Sequence, residues 1–217
     1  MKHKCLVFDH DDTVVNSTAT IHHPCFQEYL NSRYPGRTCS LEDYFKKNFA
    51  PGFVEMCREE YGMDDAALQD ETEFWKKYVA QHIPSAYPGM NELMCRHKAE
   101  GGYICVVSHS FDENIRRDYA ENGLPEPDLV FGWEQPPERR KPNPWPLEEI
   151  MRRLGLAPEE LLMIDDLKPG FDMAHSCGVD FAAAGWAYDV PQIEDFMRRN
   201  SDFYFKTVQE LADFLGE

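Results

Sequence analysis

Basic residues are scarce in this chain: lysine and arginine number 22 against 39 aspartates and glutamates, a net charge of −17 over 217 residues. A surface of that sign repels a phosphate backbone unless cations cluster locally. No basic run is present, so nucleic acid is not an expected partner. Long apolar runs are missing too. No stretch approaches the roughly 18 residues of a membrane helix, which leaves no expected membrane partner. The N-terminus passes directly into the apolar Cys5-Leu6-Val7-Phe8 without the pattern of a signal peptide, and the cytoplasm is the expected compartment. The cysteines, Cys5, Cys25, Cys39, Cys57, Cys95, Cys105 and Cys177, are odd in number, scattered and free of any Cys-x-x-Cys pair, which argues for reduced thiols. The histidines show no zinc spacing. Repeats and low-complexity tracts are absent. What is present, 42% hydrophobic and 13% aromatic residues, suffices for a sizeable core.

The most informative segment is Cys5 to Val15. Four residues of buried-strand character run into Asp9-His10-Asp11-Asp12 and then the hydroxyl of Thr13. Asp9 falls at the strand's carboxyl end, where open α/β sheets place their ligands. In extended chain Asp9 and Asp11 leave on the same face. Acids this close repel one another unless a proton or cation intervenes, and a hard divalent ion such as Mg2+ suits oxygen ligands. An acidic cluster after a strand is also an ordinary solvated turn. A calcium loop is excluded, because its sixth and twelfth positions need Gly and Glu and here hold Val14 and Thr20.

Helical patterns fill roughly residues 18 to 84 with hardly any strand signal. Beyond Tyr87-Pro88-Gly89 the chain predicts a helix from about Met90 to Glu100, a buried strand Tyr103 to Val107, a helix Asp112 to Asn122 and a short strand near Leu129 to Phe131. Leu147, Ile150, Met151 and Leu154 form an i, i+3, i+4, i+7 stripe stopped by Gly155. Leu161 to Ile164 is a third buried strand, ending at Asp165-Asp166; a helix to Cys177, a strand near Asp180 to Ala184 and a strand-helix pair from Phe203 to Leu215 follow. Alternating strands and helices predict an α/β fold, a doubly wound parallel Rossmann-like sheet. Residues 1–15 and 86–217 are expected to form its core and 16–85 an inserted helical unit.

Three strand ends therefore carry polar side chains to one edge: Asp9 with Asp11, then Ser108, then Asp165 with Asp166. Lys141 adds a cation from a proline-stiffened loop. In this order, Asp9-His10-Asp11-Asp12-Thr13, Val106-Val107-Ser108-His109-Ser110, Lys141-Pro142-Asn143-Pro144 and Ile164-Asp165-Asp166 resemble the four motifs of the haloacid dehalogenase (HAD) superfamily. Tyr87-Pro88-Gly89-Met90 resembles the return from the helical cap in phosphoglycolate-phosphatase-like members. Two departures stand out: Asp12 where many members have Gly, and an acid pair in place of Gly-Asp in the fourth motif.

The resemblance implies a Mg2+-dependent phosphatase acting on a small phosphorylated metabolite. Asp9 is then the nucleophile that forms an aspartyl phosphate, and Asp11 the general acid and base, whose presence argues for phosphoryl transfer over dehalogenation. Ser108 binds a phosphoryl oxygen and Lys141 neutralises charge. The metal falls to Asp9, the Asp11 carbonyl, Asp166 and Asp165, and the substrate contacts to Thr13, His109, Ser110 and Asn143. A phosphomutase using the same intermediate remains open. A receiver-like phosphorylation switch fits less well, because its acid pair follows the first strand and its acceptor Asp the third. Lys46, Lys47 and Arg58 read as a solvated helix face rather than substrate contacts, and Trp75 and Trp145 as packing residues. His10 and His109 flank the site. Substrate identity and oligomeric state are not readable.

Overall fold

The computed structural model describes residues 2–216. The chain opens with β1 (Cys5–Phe8), β2 (Val15–Asn16) and a π-helical turn over Thr18–His22, then four helices, α1 (His23–Arg33), α2 (Leu41–Phe49), α3 (Phe53–Tyr61) and α4 (Asp65–Val79). After β3 (Ser85–Ala86) and α5 (Met90–Ala99) it alternates through β4 (Tyr103–Val107), α6 (Asp112–Glu121), β5 (Leu129–Phe131) and α7 (Trp145–Leu154). It ends with β6 (Leu161–Asp165), α8 (Lys168–Cys177), β7 (Asp180–Ala184), α9 (Pro191–Asn200), β8 (Phe203–Phe205) and α10 (Val208–Gly216).

Six strands form one parallel sheet in the order β5-β4-β1-β6-β7-β8. Its central strands read as continuous apolar runs because both faces are covered, as parallel sheets require. One face buries Leu6, Phe8, Ile104 and Ile164 under α5, α6 and α10 residues such as Leu93, Ile115 and Leu211. The other buries Val7, Val107, Met163 and Phe181 under Leu147, Met173 and Ile193 of α7, α8 and α9. The sheet is the α/β architecture that the alternation predicts. The structure adds α9 and the β2–β3 pair, which the sequence pattern did not separate from loop.

The helices α1 to α4 enclose an apolar cluster of their own, with Phe26, Tyr29, Leu30, Met56 and Cys57 at its centre. Local chemistry starts them: Ser40 accepts from the Asp43 N–H at 3.0 Å and Asp64 from the Ala67 N–H at 2.9 Å, each supplying an acceptor to an unpaired helix N-terminus. The segment leaves and rejoins the sheet side by side, since β2 and β3 pair antiparallel with Val15 opposite Ala86 and Asn16 opposite Ser85. It also touches the sheet layer on two sides. The Phe45 ring lies 4.1 Å from the Tyr188 ring, and Trp75 lies 5.6 Å from Phe111.

Candidate active site

The central position of β1 builds the site. Register pairs Phe8 with Val106 of β4 and with Ile164 of β6, so the chain emerges at Asp9, just past Val107 at Ser108, and at Asp165-Asp166 on one edge. The Asp9 N–H still donates to the Ile164 carbonyl, at 2.8 Å, which fixes the nucleophile candidate to the end of the sheet. Beyond it the chain must turn sharply. Asp12 takes φ +57°, the left-handed region that glycine enters without strain, and its carboxylate accepts from the Thr18 N–H at 3.1 Å. That bond gives a physical account of an acid at this turn: a short polar side chain tolerates the conformation by bonding locally. Burial pushes the Asp12 carboxyl up to about 6.

Asp9, Asp165 and Asp166 each present an oxygen within 4.8 Å of the others. All three are buried, at 5%, 0% and 3% exposure, and the one cation among them is Lys141, at 7%. Its Nζ donates to Asp165 Oδ2 at 2.7 Å and pairs with Asp9 Oδ1 at 2.8 Å. Burial opposes the lysine's charge, yet Asp165 and Asp9 hold its pKa above the ordinary value. Burial pushes Asp165 up to about 7, against Lys141, and holds Asp166 well above the carboxylate range, with Asp165, Asp12 and Asp9 adding to the rise. Three buried acids and one cation leave an excess of negative charge. That charge balance fits a divalent, oxygen-preferring cation.

The other motif residues divide by what they touch. Asp165 accepts at both oxygens, Oδ1 from the Leu167 N–H at 2.8 Å, and Gly170 lies so close that a Cβ there would stand 2.1 Å from Asp165 Oδ2. It holds Lys141. Asp166 accepts from Thr13 Oγ1 at 3.2 Å and from the Tyr188 hydroxyl, 3.2 Å from Oδ2, so Thr13 orients a carboxylate. Ser108 Oγ, buried, accepts from the Ser110 N–H at 3.2 Å. His109 donates from Nε2 to the Lys141 carbonyl at 3.1 Å, and burial together with Lys141 takes its pKa down to about 4, so it is neutral. Asn143 is a correction. It is exposed and donates to the carbonyls of Pro137 and Arg140, shaping the Lys141 loop instead of facing the cluster.

The Asp11 carboxylate lies apart from the acid cluster and is held at both oxygens. Ser110 Oγ donates to Oδ2 and His22 Nε2 to Oδ1, at 2.5 and 2.9 Å. Trp75 Nε1, which can only donate, reaches His22 Nδ1 at 3.0 Å, so the imidazole carries its proton on Nε2 and points it at Asp11. Burial alone would raise the Asp11 carboxyl. The His22 N–H and imidazole, the nearby His10 imidazole and the Ser110 hydroxyl outweigh it, holding Asp11 well below the usual carboxylate range. No motif marks His22, Trp75 or Tyr188, because each arrives from a distant element by folding alone. Lys46, Lys47 and Arg58 pair with Glu42, Glu60 and Asp65 within the helical segment.

The family model of haloacid dehalogenase-like hydrolases matches residues 6–184, from β1 to the end of β7. The chain belongs to the haloacid dehalogenase-like hydrolases. Among its relatives, pyrophosphatase PpaX of Halalkalibacterium halodurans is 24% identical over all of this chain and 98% of its own length. A phosphoglycolate phosphatase of Aquifex aeolicus is 26% identical over 97% of this chain and 100% of its own. The solved structure of a haloacid dehalogenase-like family hydrolase from Streptococcus pneumoniae superposes with a TM-score of 0.77, at 14% identity, over 99% of each chain, which establishes the shared fold. No helix among the described residues of this hydrolase is long and apolar enough to cross a membrane.

Proposed function

We propose that this hydrolase is a Mg2+-dependent phosphatase that removes the phosphoryl group from a small phosphate monoester through an aspartyl phosphate on Asp9. The observation that carries the reading is the division of labour between two acids two residues apart. Asp9 lies with Lys141 and the acid cluster, while Asp11 lies outside it, held by Ser110 and His22. The relatives named as phosphatases agree with it.

Asp9, Asp165 and Asp166 would hold the metal, whose bound charge would offset that of the incoming phosphoryl oxygens. The Asp9 carboxylate attacks phosphorus, with Lys141 and the Ser108 hydroxyl balancing charge on the transferred group. Asp11 starts as a carboxylate with two donors. An entering phosphate dianion raises its pKa, so Asp11 gains the proton it delivers to the leaving oxygen. Once the leaving group departs, the same two donors favour the carboxylate again, which then takes the proton of the attacking water.

The segment 16–85 acts in this reading as a cap that excludes water when closed. The contacts of Phe45 with Tyr188 and of His22 with Asp11 support that reading, in which they would form on closure.

The test is turnover of p-nitrophenyl phosphate with Mg2+ before and after EDTA, using Asp9→Asn and Asp11→Asn. Asp9→Asn falls to background on every substrate. Asp11→Asn, acting on a good leaving group, gives a burst of p-nitrophenol and a phosphoryl adduct on Asp9 found by mass spectrometry after acid quench. An adduct on Ser108, or turnover by Asp9→Asn, overturns the assignment.

A further inference from the structure

In the wall of the cavity that Asp11, His22 and Trp75 also line, a second charged group lies buried. Asp118 of α6 is 3% exposed and accepts from two directions. Its Oδ2 lies 3.1 Å from His10 Nε2. Its Oδ1 takes the Arg117 guanidinium, with Nε at 2.8 Å and Nη2 at 2.7 Å. Arg117 then turns its remaining donors to the chain leaving the helical segment, Nη1 to the Val79 carbonyl at 3.0 Å and Nη2 to the His82 carbonyl at 3.3 Å. The Val79 carbonyl ends α4, where the helix dipole favours a cation, and the His82 carbonyl lies in the chain just beyond it. One turn further along, Asn122 accepts from the Ala86 N–H at 2.8 Å and donates to the Pro84 carbonyl at 2.9 Å. The exit strand is thus fastened to α6 at several points.

We propose that Asp118 is a positioning residue that joins the nucleophile loop, through His10, to the exit of the helical segment, through Arg117, so that segment placement and loop geometry are set together. The proposal rests on the phosphatase reading for its kinetic consequence only. The Asp118 carboxylate accepts from both partners, so His10 donates from Nε2, and the bond from the Arg117 guanidinium is charge-assisted. His10 is 1% exposed and lies between Asp9 and Asp11 in the chain. Its carbonyl also accepts from the N–H groups of Val14 and Val15, at 3.0 and 3.2 Å, so movement of His10 carries the whole turn with it. Displacing a reacting group by about 1 Å costs on the order of a hundredfold in rate, which makes an anchor at His10 kinetically significant.

Arg117 and His10 do not bond to each other, and Asp118 is the carboxylate both of them bind. Hydrogen exchange on the whole chain therefore decides the proposal without reference to activity. Arg117→Lys, conservative and partly exposed, should raise exchange at the Val14 and Val15 amides about tenfold, although Arg117 makes no bond to that turn. His10→Asn should reciprocally raise exchange at the His82 and Ala86 amides. In an Asp118→Asn background neither change should add further to the distant segment. Effects confined to each residue's own segment overturn the proposal. In p-nitrophenyl phosphate turnover, Arg117→Lys and His10→Asn should each lower kcat about tenfold with little change in KM, and the double variant should be no worse than either. Multiplying losses, or an unchanged kcat with only a lower Tm, also overturn it. A wild-type chain that does not hydrolyse the ester would refute the phosphatase reading, while hydrogen exchange would still decide the coupling.

Discussion

At the scale of the residue, Asp11 shows how little a motif says about a group's chemical state. Spacing places it beside Asp9, but its low pKa comes from Ser110 on a neighbouring strand end and His22 in a π-helical turn. With His22→Leu, one of the groups holding Asp11 low is gone and burial, which pulls the other way, remains. The acid must then rise. Because the base form exists only above its pKa, the acidic limb of the kcat profile should move to higher pH by about one unit or more, whereas His22→Gln, which keeps a donor, should move it less. Superimposable pH profiles for wild type and His22→Leu would show that the contact has no influence on Asp11 during turnover.

At the scale of the element, α4 carries a conflict of its own. Glu71 is 6% exposed, and burial pushes its carboxyl up to about 7 against an ordinary 4.5, with His22 only partly opposing. A carboxyl raised in the folded state binds its proton more tightly there than in the unfolded chain, so stability is full below about pH 4.5 and drains away up to about pH 7. Glu71→Gln should therefore match wild type near pH 4.5 and exceed it by roughly 2–3 kcal/mol at pH 8 in urea unfolding. A gap independent of pH would assign the burial cost to packing. The strands were legible because both faces of β1, β4 and β6 are covered, which leaves uninterrupted apolar runs, and because their polar ends coincide with the motif residues. β2 and β3 were not, since two residues each are too short for any periodicity, and α9 was hidden because its apolar stripe, Ile193, Phe196 and Met197, spans little more than one turn. Asn143 misled for a different reason: lying two residues from Lys141 in a loop gives no indication of which way a side chain turns.

At the scale of the whole molecule, the net charge of −17 and the buried acid cluster act in the same direction, toward a cation. Mg2+ at about 100 times its Kd should add roughly 2.7 kcal/mol to folding stability, or roughly 5–10 °C in Tm for a chain of this size. Asp166→Asn should lose most of that gain, and sodium at matched ionic strength should not reproduce it. An equal rise in the variant would mean that the ion acts on the surface charge. The pairing of Val15 with Ala86 has a consequence for how such a protein is put together. Antiparallel neighbours are the one strand arrangement that a two-residue hairpin can close, so residues 17–84 can in principle be exchanged for Asn-Gly without stretching the sheet. The excision would uncover Tyr188 and Phe196, which now pack against Phe45 and Phe49, and solubility would suffer accordingly. What survived would be a minimal cassette with a replaceable top, and the chain's own wiring makes it a docking point where one helical module can be traded for another.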